Sequence, residues 1–217
     1  MRHVGEERDM GKIVVVDAGP REGWNTAQML EAAARGAAET GARVEMVRLY
    51  DLDFKGCRSC FGCMRKGSEH NGHCVWPDGL KPVLQSIDDA DGIIVGSPVY
   101  FGDVTSECRA FIERLMFQVL NYEGPAFCDG HLKVGCVYTM NAPEAYAVQI
   151  AQRYARLYDM FYRYIGDVSA TETLQANHYD RNYLDAGLEV ARRERRERHF
   201  PLDLLRAREL GRMVALA

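Results

Sequence analysis

Lys12-Ile-Val-Val-Val-Asp-Ala-Gly-Pro-Arg-Glu-Gly-Trp-Asn-Thr26 decides how the rest of the chain is read. Its first part is a short, continuous apolar run of β-branched residues, which suits a strand buried on both faces of a parallel sheet. A Gly/Pro loop from Ala18 to Gly23 follows. From Asn25 to Thr40 apolar residues recur at helical spacing, and Gly41 closes the helix. The same order repeats downstream. Arg43–Leu49 reads as a second strand and Gly92-Ile-Ile-Val-Gly96 as a third buried one. A helix is expected from about Val104 to Leu120 and a fourth strand at Lys133–Tyr138. A long helix over Ala145–Tyr164 and a fifth strand at Asp167–Leu174 complete the series. A short helix is expected at Leu80–Ile87, and Leu184–Ala217 is mostly helical with a break before Pro201.

Strands alternating with helices imply right-handed βαβ crossovers and a parallel sheet. Five strands suit an α/β/α sandwich of order 2-1-3-4-5. Ligands of such sheets bind beyond the C-terminal strand ends, where the order reverses. The loops at 18–26 and 97–103 lie there. In the first, peptide N–H groups at a helix start can hold a phosphate, with Gly19 allowing a close approach and Arg21, Asn25 and Thr26 adding side-chain donors. No Gly-Lys-Ser/Thr follows and the dinucleotide fingerprint is absent. In the second, Gly96-Ser-Pro-Val-Tyr-Phe-Gly-Asp103, peptide groups and Tyr100 or Phe101 can meet a flat heteroaromatic ring.

The chain has 217 residues, a net charge of −4 and ordinary apolar and charged fractions of 47% and 27%. These values fit one α/β domain over 1–217, with a polar tail at 1–10, a cysteine-rich loop at 50–79 and a helical region at 184–217. The mild acidity excludes a dedicated nucleic-acid binder, which needs a basic surplus. There is no run of about eighteen apolar residues to span a membrane, and no apolar signal core near Met1. The cysteine count is odd, seven, with four between residues 57 and 74. A cytoplasmic protein with reduced or metal-bound thiols is therefore expected.

Gly19-Pro-Arg…Asn-Thr26, Ser97-Pro-Val-Tyr-Phe-Gly102 and Arg109-Ala-Phe-Ile-Glu-Arg114 together resemble the NADPH-dependent FMN reductase family of flavodoxin-like proteins, over about residues 11 to 175. The resemblance implies FMN as cofactor and NAD(P)H as its reductant. It places Gly19, Pro20, Arg21, Asn25 and Thr26 around the flavin phosphate. Pro98, Val99, Tyr100, Phe101 and Gly102 would meet the ring, with Thr139, Met140 and Asn141 on its other side. It also implies a homodimer or a dimer of dimers and a small acceptor such as a flavin or a quinone. No side-chain nucleophile or general base is needed, because the cofactor carries the chemistry. Two positions depart from the family: Gly19 stands where a serine is usual, and Met140-Asn-Ala-Pro143 replaces a glycine-rich loop.

Cys57-x2-Cys60-x2-Cys63-x10-Cys74 has the compact spacing that wraps three corners of a [4Fe–4S] cubane, with a fourth thiolate from farther on. It resembles the iron–sulfur flavoproteins, a branch of the same group, though there the last gap is usually shorter. A ferredoxin-like electron donor would then be expected. Zinc held by these cysteines with His70 or His73 is a second reading. A flavin-free scaffold with a free-thiol loop is a third. Cys108 and Cys136 read as small buried apolar residues. The run Arg192-Arg-Glu-Arg-Arg-Glu-Arg198 reads as a solvated helix face, or else as a docking patch for the NADPH 2′-phosphate or an acidic electron-transfer partner.

Overall fold

The computed structural model describes residues 11–217; the expected polar tail at 1–10 lies outside the described residues. Five parallel strands, β1 (Lys12–Asp17), β2 (Arg43–Arg48), β3 (Gly92–Tyr100), β5 (Lys133–Thr139) and β6 (Arg163–Ala170), form a sheet of order β2-β1-β3-β5-β6. A two-residue strand, β4 (Asp103–Val104), pairs antiparallel with the end of β3. Apart from that hairpin, the order is the expected 2-1-3-4-5.

Strand alternation sorts the core into two layers. Ile13, Val15, Ile94 and Val137 face α1 (Asn25–Ala38) and α6 (Phe200–Leu216). Val14, Val16, Ile93 and Val95 face α2 (Lys81–Asp88), α3 (Ser106–Val119) and α4 (Glu144–Tyr158). Both faces of the central strands are buried, so their sequences read as unbroken apolar runs. α1 and α6 cross at paired glycines. A Cβ on Gly36 would lie 1.8 Å from the Arg208 carbonyl oxygen, and one on Gly211 would lie 1.9 Å from that of Ala33.

Three boundaries differ from the sequence expectation. The helix expected to reach Tyr164 ends at Tyr158, and the strand expected from Asp167 begins at Arg163. Tyr154, Tyr158 and Tyr162 continue a helical spacing, but a turn at 159–162 leaves Tyr162 to bury its ring by another route. Its hydroxyl donates to the Leu115 carbonyl at 2.9 Å. β3 runs past Gly96 to Tyr100, because the stretch read as a loop forms a hairpin with β4. Leu184–Ala217 divides into α5 (Ala186–Arg198) and α6, with His199 between them.

Candidate functional site

The loop after β1 turns on Asp17. This carboxylate is almost fully buried, and its Oδ1 accepts the Gly19 N–H at 2.7 Å. Burial pushes its pKa up, against the Gly19 hydrogen bond and Arg48, which pull it down. A Cβ on Gly19 would lie 2.9 Å from Asp17 Oδ1 and 3.3 Å from Thr26 Cβ. A side chain at position 19 would therefore press on Asp17 and Thr26. Gly23 then takes a left-handed φ of 62°, and α1 starts at Asn25 with no acidic residue in its first turn. Its first N–H groups have no side-chain cap, which leaves them and the helix dipole available to an anion.

Three loops are tied together here. Thr105, the N-cap of α3, donates its hydroxyl to the Ala18 carbonyl at 2.9 Å, and its N–H reaches Ser97 Oγ at 3.0 Å. The Thr26 and Thr139 hydroxyls meet at 2.7 Å. The ends of β1, β3 and β5 therefore hold one another in place. Asn25 donates its amide to the Leu174 carbonyl at 3.1 Å, and Arg21 donates to that of Gln175. Met140 is buried, with its N–H on the Ala170 carbonyl and its own carbonyl taken by Thr173.

At the hairpin tip, Tyr100 is half-exposed and Phe101 fully exposed. Phe101 and Gly102 both have positive φ, 52° and 82°, the signature of a tight two-residue hairpin turn. An aromatic residue in that region costs about 1 kcal/mol. Pro98 and Val99 are partly buried behind it. Asp103 anchors the tip to α4, accepting from Tyr154 Oη at 2.6 Å and Arg153 at 3.0 Å.

The charged run of α5 does not lie free in solvent. Arg192 is buried and donates to Asn141 Oδ1 at 2.6 Å, to the Asn141 carbonyl at 3.2 Å and to Glu172 at 3.0 Å. One turn on, Arg196 donates to the Asn25 side-chain oxygen and to Gln28 Oε1 at 2.8 Å. Two arginines on one helix face thus grip two of the expected cofactor residues from different loops. Arg196 lies 4.0 Å over the Phe200 ring and 5.8 Å from Trp24, whose other neighbour is Arg21 at 4.8 Å. The Trp24 indole N–H is buried without a partner. Sequence reading missed Asp17, Trp24, Arg192 and Arg196. Trp24 was inside the quoted motif, but the arginines find partners about 20 to 170 positions away, which helical spacing cannot reveal.

Cys57, Cys60, Cys63 and Cys74 line one small, mostly apolar cavity with Arg58, Phe61, Trp76, Arg114, Phe117 and Gln118. Ser59 and Phe61 take left-handed φ values of 52° and 55°, which turns the chain twice within the cysteine run. Cys74 Sγ accepts from Arg114 Nε at 3.1 Å, and Cys74 N–H reaches Gln118 Oε1 at 3.0 Å. Arg114 is buried and forked onto Asp78 at 2.8 and 3.1 Å. Burial, with the Cys74 thiol close by, pushes Cys63 up to about 11. Among the described residues no three His, Cys, Asp or Glu groups converge closely enough to hold a single ion. A cubane differs in that each corner takes one thiolate, so its ligands stand farther apart. All seven cysteines are free; Cys108 and Cys136 lie in the core, where burial raises both. No described helix is long and apolar enough to cross a membrane.

The sequence profile of the NADPH-dependent FMN reductases matches residues 11–130. An iron–sulfur flavoprotein of Methanocaldococcus jannaschii is 31% identical over 129 residues, 57% of this chain and 64% of that protein. The chain spans about half the length of several other iron–sulfur flavoproteins that it matches. Among solved structures, a NAD(P)H:quinone oxidoreductase from Methanothermobacter marburgensis superposes with a TM-score of 0.64 at 17% identity, covering 94% of this chain and 95% of that one. An azoreductase from Bacillus anthracis gives 0.63, also at 17%, covering 94% and 99%. These likenesses establish the fold.

Proposed function

The chain belongs to the NADPH-dependent FMN reductase family, and from that premise we propose that it binds FMN across the loops after β1, β3 and β5 and passes electrons from NAD(P)H to a small acceptor such as a flavin or a quinone. The observation that carries this reading is the cradle at the start of α1. There a close-packed Gly19, uncapped helix N–H groups, a partnerless indole N–H and two arginines meet at one end of the sheet. A phosphate suits all four features. Bound there, FMN would supply hydride acceptance and electron release. The chain's part is to position it. Arg21, Asn25 and Thr26 would hold the phosphate, and the tip at Tyr100–Gly102 would border the ring. The exposed aromatics of that tip support a homodimer in which a second copy covers them. The test is flavin-fluorescence quenching on adding FMN, followed by anaerobic NADPH oxidation with and without a quinone. Failure to bind FMN would overturn the reading.

A second reading is favoured by one further observation, the four cysteines around a single cavity with a buried guanidinium on one of them. That donor set fits a [4Fe–4S] cluster, whose thiolate-bound form is anionic and gains from Arg114 and Arg58 nearby. The iron–sulfur flavoprotein relatives support it. On this reading Cys57, Cys60, Cys63 and Cys74 hold the cluster, and a ferredoxin-like protein is a suitable partner in a reducing, cytoplasmic setting. Iron and acid-labile sulfide analysis of anaerobically purified protein tests it, with about four of each per chain expected. Zinc in their place would support the structural alternative.

A further inference from the structure

Asp17 sets an electrostatic problem for the cradle. Its carboxylate lies beneath the loop and consumes the Gly19 N–H, one of the backbone donors that an anion would use. A phosphate placed above it meets a like charge with one donor fewer. Arg21, exposed and stacked on Trp24, is one source of compensation.

Helix α5 carries another. Arg192, Arg193 and Arg195 each have a carboxylate within about 3 Å, at Glu172, Glu189 and Asp203 respectively. Arg196 is half-buried, yet among the described residues it has no carboxylate partner; its acceptors are the neutral side chains of Asn25 and Gln28. Its stem and guanidinium are fixed by Phe200. It stands beside the first turn of α1 and the buried, partnerless Trp24 N–H. A fixed cation without a counterion, beside unfilled donors, is a site for an anion.

We propose that Arg196 is the second cation of the phosphate subsite and gives the site its preference for a phosphorylated flavin. The inference rests on the FMN reading above. In it, α5 offsets Asp17 and lets the loop keep an acidic floor.

The test is a pair of titrations of flavin-free protein, with FMN and with riboflavin, followed by fluorescence quenching. Wild type is compared with R196Q and with R196M, which keeps the apolar stem over Phe200; melting temperatures check folding. The expected result is at least a tenfold loss of FMN affinity in both variants with riboflavin binding unchanged. Equal weakening of both flavins would overturn the proposal, since Arg196 would then only brace the loop. An unaltered FMN affinity would overturn it as well. A wild type that binds no FMN would instead overturn the flavin reading on which it rests.

Discussion

Thr26 and Thr139 meet hydroxyl to hydroxyl at 2.7 Å, both buried, one from the first turn of α1 and the other from the last residue of β5. Each supplies the other with the hydrogen bond that burial takes from water. T139V should therefore cost about 1–3 kcal/mol in urea denaturation, because it strands the Thr26 hydroxyl. T26V/T139V should recover much of that loss, since two apolar groups of similar shape leave nothing unpaired.

Asp17 gives a pH prediction. Its folded pKa is raised by burial, so the folded protein holds that proton more tightly than the unfolded chain. Its contribution to stability is then greatest in acid and falls as pH rises from about 4, the unfolded value, through the folded one. D17N keeps an acceptor for Gly19 and removes the penalty. It should be more stable than wild type at pH 7, with the difference vanishing below about pH 4. It should also bind FMN more tightly at pH 8, as measured by fluorescence.

Arg114 and Asp78 have the opposite sign. Burial would raise Asp78, but the paired bonds from Arg114 hold it below the usual carboxylate range. Their stabilisation is present above about pH 4 and lost as pH falls through the folded value. R114Q leaves Asp78 without its partner in a largely buried setting, which should cost about 3 kcal/mol at pH 7 and much less at pH 3. Where a cluster is present, removing the N–H donor to Cys74 should also lower its midpoint potential, readable by spectroelectrochemistry.

The cysteines should separate into two groups on iron analysis. C57A, C60A, C63A and C74A should each lose most of their iron and sulfide, whereas C136A should retain both. Iron kept by all four single variants would sink the cluster reading.

Phe101 combines full exposure with a left-handed backbone. F101G should leave thermal stability unchanged or raise it by about 0.5–1 kcal/mol, since glycine adopts that region freely. If the tip borders the flavin ring, the variant should nevertheless bind FMN less tightly.

Much of this architecture could be read from residue types alone. Val14, Val16, Ile93 and Val95 are β-branched because both sheet faces are covered, and that same burial makes their runs visible. Turn-forming Gly and Pro marked the loops after β1 and β3 for a similar local reason. Apart from the short hairpin at the end of β3, the failures were non-local. Tyr162 keeps the helical spacing of Tyr154 and Tyr158 but is buried through Leu115, so periodicity overran the helix end. The arginines of α5 carry the composition of a solvated face. Their inward partners, Asn25, Asn141 and Asp203, are brought to them by the fold. Cys74 was legible as a fourth thiol by its type, but the guanidinium aimed at it comes from forty residues downstream.

The glycine notch between α1 and α6 bears on how the molecule comes to be made. Ile13, Val15, Ile94 and Val137 lie early or midway along the chain, yet α6, which supplies Ala207, Leu210 and Val214 against them, follows all of them. During vectorial synthesis the sheet can pair its strands while one face has only α1 over it and still lacks α6. A nascent chain at that stage presents a broad sticky surface on the ribosome. Any side chain at Gly36 or Gly211 would prolong that exposure, and soluble yield in the cell should fall before flavin chemistry is affected.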